Sequence, residues 1–351
     1  MSKDMTTVPY GKLVSCVEKV FGAHLPPKDA SRVGECLVDA DLRGVASHGI
    51  TRIPVYTRRL REGLVNSRPS LDVTRKGKAT AHVNGDNGMG YVVATRAMEV
   101  AIELAEEFGI GMVTASHSNH FGMAASYIKQ AFAKKCGAMV LTNAPPLMPV
   151  WGGRSPFLGT SPFAIGVPGG EQPLLLDMAT SVVAFGKIRR AARLGQPIPA
   201  DWGLDSMGRS TTNPQAVIDG GVVLPMAGPK GSGLGLMIEA MAGVLSGSAF
   251  GGQVRNQNSD FTNTQNVGHC FMAFSPAAFM DGDDFAGRLD ELASRAKSSD
   301  LAEGFSEVCM PGELEDRLSG KKIENGLEIP ASEVEMLRAE AALAGFEADL
   351  A

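Results

Sequence analysis

Apolar positions in the first 65 residues recur at helical spacing. Val33, Leu37 and Ala40 form one stripe behind Pro26-Pro27, with Gly44 placed to close it as a C-terminal cap. Ile53, Tyr56 and Leu60 form a shorter stripe. Near Leu71 the period changes: residues 71–74 and 79–83 alternate as strands do. Gly85-Asp86-Asn87-Gly88 then makes a turn ahead of a long amphipathic helix over 91–108. Buried strands and helices follow in alternation: a strand over 110–114, a helix over 123–134, and strands over 138–142, 162–167 and 174–178. The Gly-rich stretch 228–250 carries a helix with Leu236, Ile238, Met241 and Leu245 apolar, and 269–274 is a late strand. The tail returns to helix over 285–296 and after Ser332, where Ser332-x-x-Glu335 reads as a capping box. Interleaved strands and helices give an α/β class. The pattern divides the chain into a sheet-bearing middle, 76–279, and a helical unit made of both ends, 1–75 with 280–351.

The length, 351 residues with 44% hydrophobic and 20% charged, exceeds what one core usually holds and suits two interlocked domains. A net charge of -5 argues against a nucleic-acid partner, which needs a basic stripe. No apolar run approaches the roughly 20 residues needed to span a bilayer, so no membrane partner is expected. The start, Met1-Ser2-Lys3-Asp4-Met5-Thr6-Thr7, leads to Lys12 and Glu18 without a signal-peptide core. Five cysteines (Cys16, Cys36, Cys136, Cys270, Cys309) are scattered and never spaced as CxxC. Reduced, buried thiols in a cytoplasmic protein are expected, none of them a nucleophile.

Chemistry concentrates in two short stretches. Ser47-His48-Gly49-Ile50-Thr51-Arg52 sets an imidazole beside a hydroxyl with a guanidinium four residues on, and Ser118-Asn119-His120-Phe121-Gly122 carries a second imidazole among small residues. Together they suit proton transfer on a small carboxylate-bearing substrate. Taken singly, each histidine reads more readily as a satisfied structural group; the pair together favours an enzyme. His117 and His120, three apart, are weak metal ligands without a neighbouring Cys or an HExxH arrangement. No metal is expected. His24, His82 and His269 lack polar neighbours in sequence and read as structural; Arg189, Arg190 and Arg193 read as a solvated helix face.

No GxGxxG follows a strand, and Gly186-Lys187 lacks the glycine and the Ser/Thr of a Walker loop. A Rossmann fold is disfavoured, though a dinucleotide is not. Gly228-Pro229-Lys230-Gly231-Ser232-Gly233 opens a helix and reads either as an anion site or as close packing through small residues. Asp177-Met178-Ala179-Thr180-Ser181, ending an apolar strand, places a carboxylate that either holds a ribose hydroxyl or caps the next helix. Gly159-Thr160-Ser161-Pro162 offers two hydroxyls in a tight turn.

These segments, in this order, resemble the malate/L-lactate dehydrogenase family, whose cofactor fold is not the Rossmann one and which includes ureidoglycolate, sulfolactate and 2,3-diketogulonate enzymes and cyclic imino acid reductases. The resemblance runs from Lys28 to Gly312. It rests on Asp41-Leu42-Arg43-Gly44-Val45-Ala46-Ser47-His48-Gly49, Gly159-Thr160-Ser161-Pro162, Asp177-Met178-Ala179-Thr180-Ser181, Gly228-Pro229-Lys230-Gly231 and Pro311-Gly312-Glu313. It implies a mixed-sheet cofactor domain, an NAD or NADP cofactor and a homodimer. It also implies that Arg52 binds the substrate carboxylate, that Thr160 contacts the same substrate, and that His120, Phe121, Gly122, Met123, Ala124, Asp177, Met178, Ala179, Lys230, Pro311, Gly312 and Glu313 hold the cofactor. Members that reduce imino acids use a Ser-His pair, here Ser47 and His48, oriented by an aspartate after the DMA segment. That place is Ile188 here, within Gly186-Lys187-Ile188. The Gly186-Lys187 form resembles the ureidoglycolate type, in which the histidine matching His120 is the acid/base. The resemblance favours His120 for that role, with His48 next.

The expected activity is reversible hydride transfer between nicotinamide and the C2 of a small 2-hydroxy acid. The alternatives are an NADPH-dependent cyclic imino acid reductase, a dinucleotide-binding regulator without catalysis, and a metal-dependent hydrolase.

Overall fold

The protein is described by a computed structural model covering residues 5–350; Met1–Asp4 and Ala351, the tips of the proposed helical unit, lie outside the described residues. The chain runs β1 (Met5–Val8), α1 (Tyr10–Gly22), α2 (Pro27–Leu42), α3 (Ile53–Arg61), β2 (Asp72–Arg75), β3 (Thr80–Asn84), α4 (Gly90–Phe108), β4 (Ile110–Ser118), α5 (Ala125–Phe132) and β5 (Gly137–Thr142). It continues with β6 (Phe163–Val167), β7 (Leu174–Met178), α6 (Phe185–Arg193), β8 (Gly203–Leu204), α7 (Pro214–Ile218), β9 (Val222–Val223), α8 (Pro229–Ile238), β10 (Val267–Phe274), α9 (Gly282–Lys297), α10 (Glu313–Asn325), β11 (Leu327–Pro330) and α11 (Ala331–Leu343).

Seven strands form one mixed sheet in the order β2-β3-β4-β10-β5-β6-β7. Only β3 and β4 run parallel, joined through α4, and every other pair is antiparallel. This is an α/β fold, as the pattern implied, with the non-Rossmann mixed sheet that the family resemblance implied. Val93, Ala97, Met98, Ala101 and Leu104 of α4 pack on Val83, Val113, Ala115 and Phe271 of the sheet. Fully burying each larger aliphatic of this kind stabilises by about 1.5–3 kcal/mol. A second core joins Leu13, Val17, Phe21, Val33, Leu37 and Ile53 to Leu327, Ile329 and Leu337, so the two chain ends share an interior. A satellite cluster of Met148, Leu158, Val183, Ile188, Ile198, Val217 and Val223 lies under α6 and α7.

Several elements differ from the sequence reading. β1 and β11, which pair antiparallel through Thr6 and Ile329, are too short for a period to show. β4 extends past Thr114 to Ser118 because its polar end is satisfied by histidines on neighbouring strands. The Gly-rich helix ends at Ile238 and continues as a π-helical turn over Glu239–Val244. The capping box does not form: α11 begins directly after Pro330, which puts Ser332 inside the first turn with no side-chain cap. Gly44, at φ 80°, does close α2 in the left-handed conformation.

Candidate active site

α2 ends at Leu42, and two short 3₁₀ turns, Ala46–His48 and Ile50–Arg52, carry the Ser-His-Gly motif into α3. The buried carboxylate of Asp41 pins this loop, its Oδ2 accepting the Ile50 N–H at 2.7 Å. Lys322 Nζ donates to the Asp41 backbone carbonyl at 2.6 Å, tying α10 to the same point. A Cβ on Gly49 would sit 2.1 Å from Asp41 Oδ1, so only glycine fits between carboxylate and loop. Burial pushes the Asp41 carboxyl up to about 7, against the lowering effect of the Ile50 N–H.

β4 delivers the second histidine. His120 follows its last residue, Ser118, and its own N–H donates to Gln265 Oε1 at 3.0 Å. The rings of His48 and His120 stack with centroids 5.3 Å apart and planes inclined by 23°. Ser47 Oγ lies 2.9 Å from His48 Nδ1. Tyr56 Oη lies 2.6 Å from His120 Nδ1, which also accepts the Gly122 N–H at 3.3 Å. Arg52 turns inward: its Nε donates to the Ser47 carbonyl at 2.5 Å and its Nη1 to Asn258 Oδ1 at 3.3 Å. Burial first, and then the Arg52 charge, bring His48 down to about 4. Burial, His48, Arg52 and His269 hold His120 well below the usual imidazole range. Both rings are therefore neutral at neutral pH.

Beside His48 opens a cleft of about 530 Å³. It gathers Ser47, Gly122, Met123, Ala124, Thr160, Asp177, Met178, Ala179, Pro311 and Gly312 from five separate stretches of chain. His48 lines the cleft and His120 stacks on it, while neither His120 nor Arg52 is part of the lining. Apolar walls from Met123, Leu175, Leu176, Met178 and Leu314, with backbone groups between them, have the chemistry that a flat nicotinamide and its ribose require, so the residues present fit such a cofactor.

Four of the residues expected at the cofactor have partners within the chain or stand outside the cleft lining. Phe121 is a core side chain, stacked 4.7 Å from His269 and turned away from the cleft lining. Asp177 lines the cleft but does not cap the helix after it; its Oδ2 accepts the Ala125 N–H at 2.7 Å, holding the start of α5 against the cleft, and burial raises it to about 6. Glu313 is committed to Lys297 at 2.8 Å, to Arg317 at 2.5 Å and to the Met310 N–H at 2.9 Å, which fixes the 310–312 turn. Lys230 is exposed on α8 and outside the cleft lining.

His117 points out at the end of β4, with Asn84 Oδ1 as a partner at 3.2 Å. Among the described residues no three His, Cys, Asp or Glu converge on a metal position. His82 and His269 are structural, but not for want of polar neighbours. His82 bridges Thr114 and Ser116 at 2.9 and 3.0 Å, and His269 bridges Thr142 and Ser118 at 2.7 and 2.8 Å. Ile188 is fully buried in the satellite core, and among the described residues His48 has Ser47, not a carboxylate, as its side-chain hydrogen-bond partner. Four cysteines are buried, while Cys309 borders the cleft. Tyr56, Asn258 and Gln265 went unread: Tyr56 sat in an apolar stripe one helical turn beyond Arg52, and the two amides come from a loop far along the chain.

The sequence pattern of the malate/L-lactate dehydrogenase family matches residues 8–338. The chain belongs to that family. It is 40% identical to L-sulfolactate dehydrogenase of Methanocaldococcus jannaschii over 91% of this chain and 90% of that one. It is 34% identical to the NAD(+) ureidoglycolate dehydrogenase of Escherichia coli, over 89% and 88%. It is 36% identical to the NADP(+) (2R)-3-sulfolactate dehydrogenase of Chromohalobacter salexigens, over 90% and 92%. The solved M. jannaschii sulfolactate dehydrogenase superposes with a TM-score of 0.92, covering 97% of this chain and 98% of that one at 35% identity. The Δ1-piperideine-2-carboxylate reductase of Pseudomonas syringae superposes at 0.86, over 95% and 99%, with 29% identity. The protein is an NAD(P)-dependent oxidoreductase of the 2-hydroxy acid dehydrogenase type.

Proposed function

We propose that the physiological substrate is a small 2-hydroxy acid, or its 2-oxo counterpart, of the malate, lactate, ureidoglycolate or sulfolactate type. The observation that carries this is Arg52, turned in beside two stacked, neutral imidazoles at the edge of an apolar cleft. When bound, the nicotinamide supplies the hydride donor or acceptor at its C4. Gly122, Met123, Ala124, Asp177, Met178, Ala179, Pro311 and Gly312, with Glu313 as the brace of the last turn, would hold it. His120 and the Phe121 backbone would adjoin it, and Lys230, exposed on α8, would be a further contact.

Arg52 pairs with the C1 carboxylate, and a planar guanidinium fixes which face of C2 is presented. Asn258, already on Nη1, and Thr160, across the cleft, set the remaining orientation. His120 moves the proton of the substrate oxygen, and His48 with Ser47 closes the other side. Burial keeps both rings uncharged, so a neutral ring is ready to receive or deliver a proton without competition from water.

The alternative reduction of a cyclic imine next to a carboxylate is disfavoured by Ile188, since nothing then stabilises an imidazolium on His48. A panel of malate, lactate, ureidoglycolate and sulfolactate, each with NAD and NADP, tests the reading by absorbance of the reduced nicotinamide. Turnover of a cyclic imine with NADPH, and of none of the acids, overturns it.

The same reading includes a homodimer, supported by the exposed apolar run of Leu236, Met237, Val244, Leu245 and Phe250. A mass by light scattering near that of one chain would contradict it. It includes a cytoplasmic location, consistent with five unpaired thiols and checked by cell fractionation. The division into a helical unit, 1–75 with 280–351, and a cofactor unit, 76–279, is supported by the shared core of α1–α3 with β11 and α11. Limited proteolysis that releases neither unit intact would count against it.

A further inference from the structure

Tyr56 is 3% exposed, and its hydroxyl is the closest polar atom to either catalytic imidazole. Its place follows from the fold: α3 buries Ile53, Tyr56 and Leu60 on one face, and the Tyr56 ring stands edge-on to Tyr91 of α4 at 5.9 Å. A backbone N–H can only donate. Since the Gly122 N–H points at His120 Nδ1, that nitrogen is an acceptor, and the Tyr56 O–H donates to it as well. The neutral ring thus carries its hydrogen on Nε2.

This creates a difficulty for proton transfer by His120 alone. A ring protonated at Nε2 cannot take a second proton there, and giving that proton away leaves an imidazolate unless Nδ1 is refilled. An imidazolium is opposed by burial and by Arg52, His48 and His269 around the ring.

Resting on the reading that His120 is the acid/base, we propose that Tyr56 is its proton-holding partner, so that the imidazole stays neutral while protons move at both of its nitrogens. In the reductive direction the Nε2–H bond breaks as an O–H bond forms on the substrate. The Tyr56 O–H bond breaks as an Nδ1–H bond forms, and the negative charge that developed on the substrate oxygen ends on the Tyr56 phenolate. After product leaves, Nδ1–H returns its proton to Tyr56 and Nε2 takes one from water. Oxidation is the reverse and starts from phenolate with the ring protonated at Nδ1. Tyr56 acts through His120 and is a positioning residue in that sense.

Burial holds the Tyr56 hydroxyl above its usual range, and the Arg52 charge and the Tyr91 hydroxyl offset part of that by favouring the phenolate. The groups facing Tyr56 are therefore Arg52, His120 with His48 behind it, and Tyr91; no carboxylate opposes the charge.

Two measurements test this on the full-length chain. In ¹⁵N-histidine spectra of the unmodified protein, His120 should show its proton on Nε2; a proton on Nδ1 overturns the proposal. For the most active acid of the panel, kcat/KM for oxidation should climb into the alkaline range. Tyr56→Phe should lose that limb and about 10²-fold in rate, with cofactor affinity unchanged. If Tyr56→Phe keeps the wild-type profile while His120→Ala is inactive, Tyr56 holds no proton and only this proposal fails. If His120→Ala remains fully active, the assignment of His120 itself falls.

Discussion

His48 and His120 lie ring on ring, 5.3 Å between centroids, with burial first and the Arg52 charge after it lowering the affinity of both for protons. Two stacked imidazoles beside a fixed cation cannot both charge, which makes this corner of the protein a site for neutral-ring chemistry and for an anionic substrate. Arg52 is then the attachment point of the carboxylate. Arg52→Lys should cut kcat/KM for the acid about 10–100-fold, because a point charge replaces a two-pronged donor. Steady-state kinetics check this, and an unchanged kcat/KM would remove Arg52 from the site.

The loop carrying these groups depends on an absence of bulk at Gly49. Its backbone, at φ -91°, suits any residue, but an added Cβ meets the Asp41 carboxylate at 2.1 Å. Gly49→Ala should break the Asp41–Ile50 hydrogen bond, displace His48 and Arg52, and lower kcat about 10²-fold. It should also cost about 1–3 kcal/mol in denaturant unfolding. Normal activity together with normal stability would show that the loop is not held in this way.

His269 offers a stability test away from the chemistry. Burial lowers it to about 3, against 6.5 in the unfolded chain, so the unfolded chain binds the proton first as pH falls. Its contribution is complete above pH 6.5 and is lost progressively down to about pH 3. Asp41 and Asp177, raised to about 7 and about 6, act in the opposite sense, since the folded state protonates first. The informative quantity is therefore a difference between variants. His269→Gln should flatten the slope of unfolding free energy between pH 6.5 and 3 by up to about 1.4 kcal/mol per pH unit. Urea titrations across that range measure it, and parallel slopes would contradict the neutral buried state.

Much of the sheet was legible because its strands are continuous apolar runs: residues 138–142 and 174–178 read as strands and form β5 and β7. The ends of the chain were not, because β1 and β11 acquire strand character only from each other. Ser47, His48, Arg52 and His120 stood out as polar groups among glycines. Tyr56 did not, since a tyrosine in an apolar stripe looks like core until a ring from another element meets its hydroxyl. His269 read as isolated because Thr142 and Ser118 reach it only across strands. Asp177 was legible as a carboxylate ending an apolar strand, but its capping of α5 joins two segments that only the folded sheet brings together.

The central claim is that His120 moves the substrate proton within a site already built to bind. Rapid kinetics on His120→Ala and His48→Ala, with cofactor affinity measured by quenching of protein or nicotinamide fluorescence, test it most directly. His120→Ala should lose about 10²–10⁴-fold in kcat with cofactor affinity nearly unchanged, and His48→Ala should lose less. A His120→Ala enzyme that turns over normally while His48→Ala is dead would reverse the assignment and contradict the account.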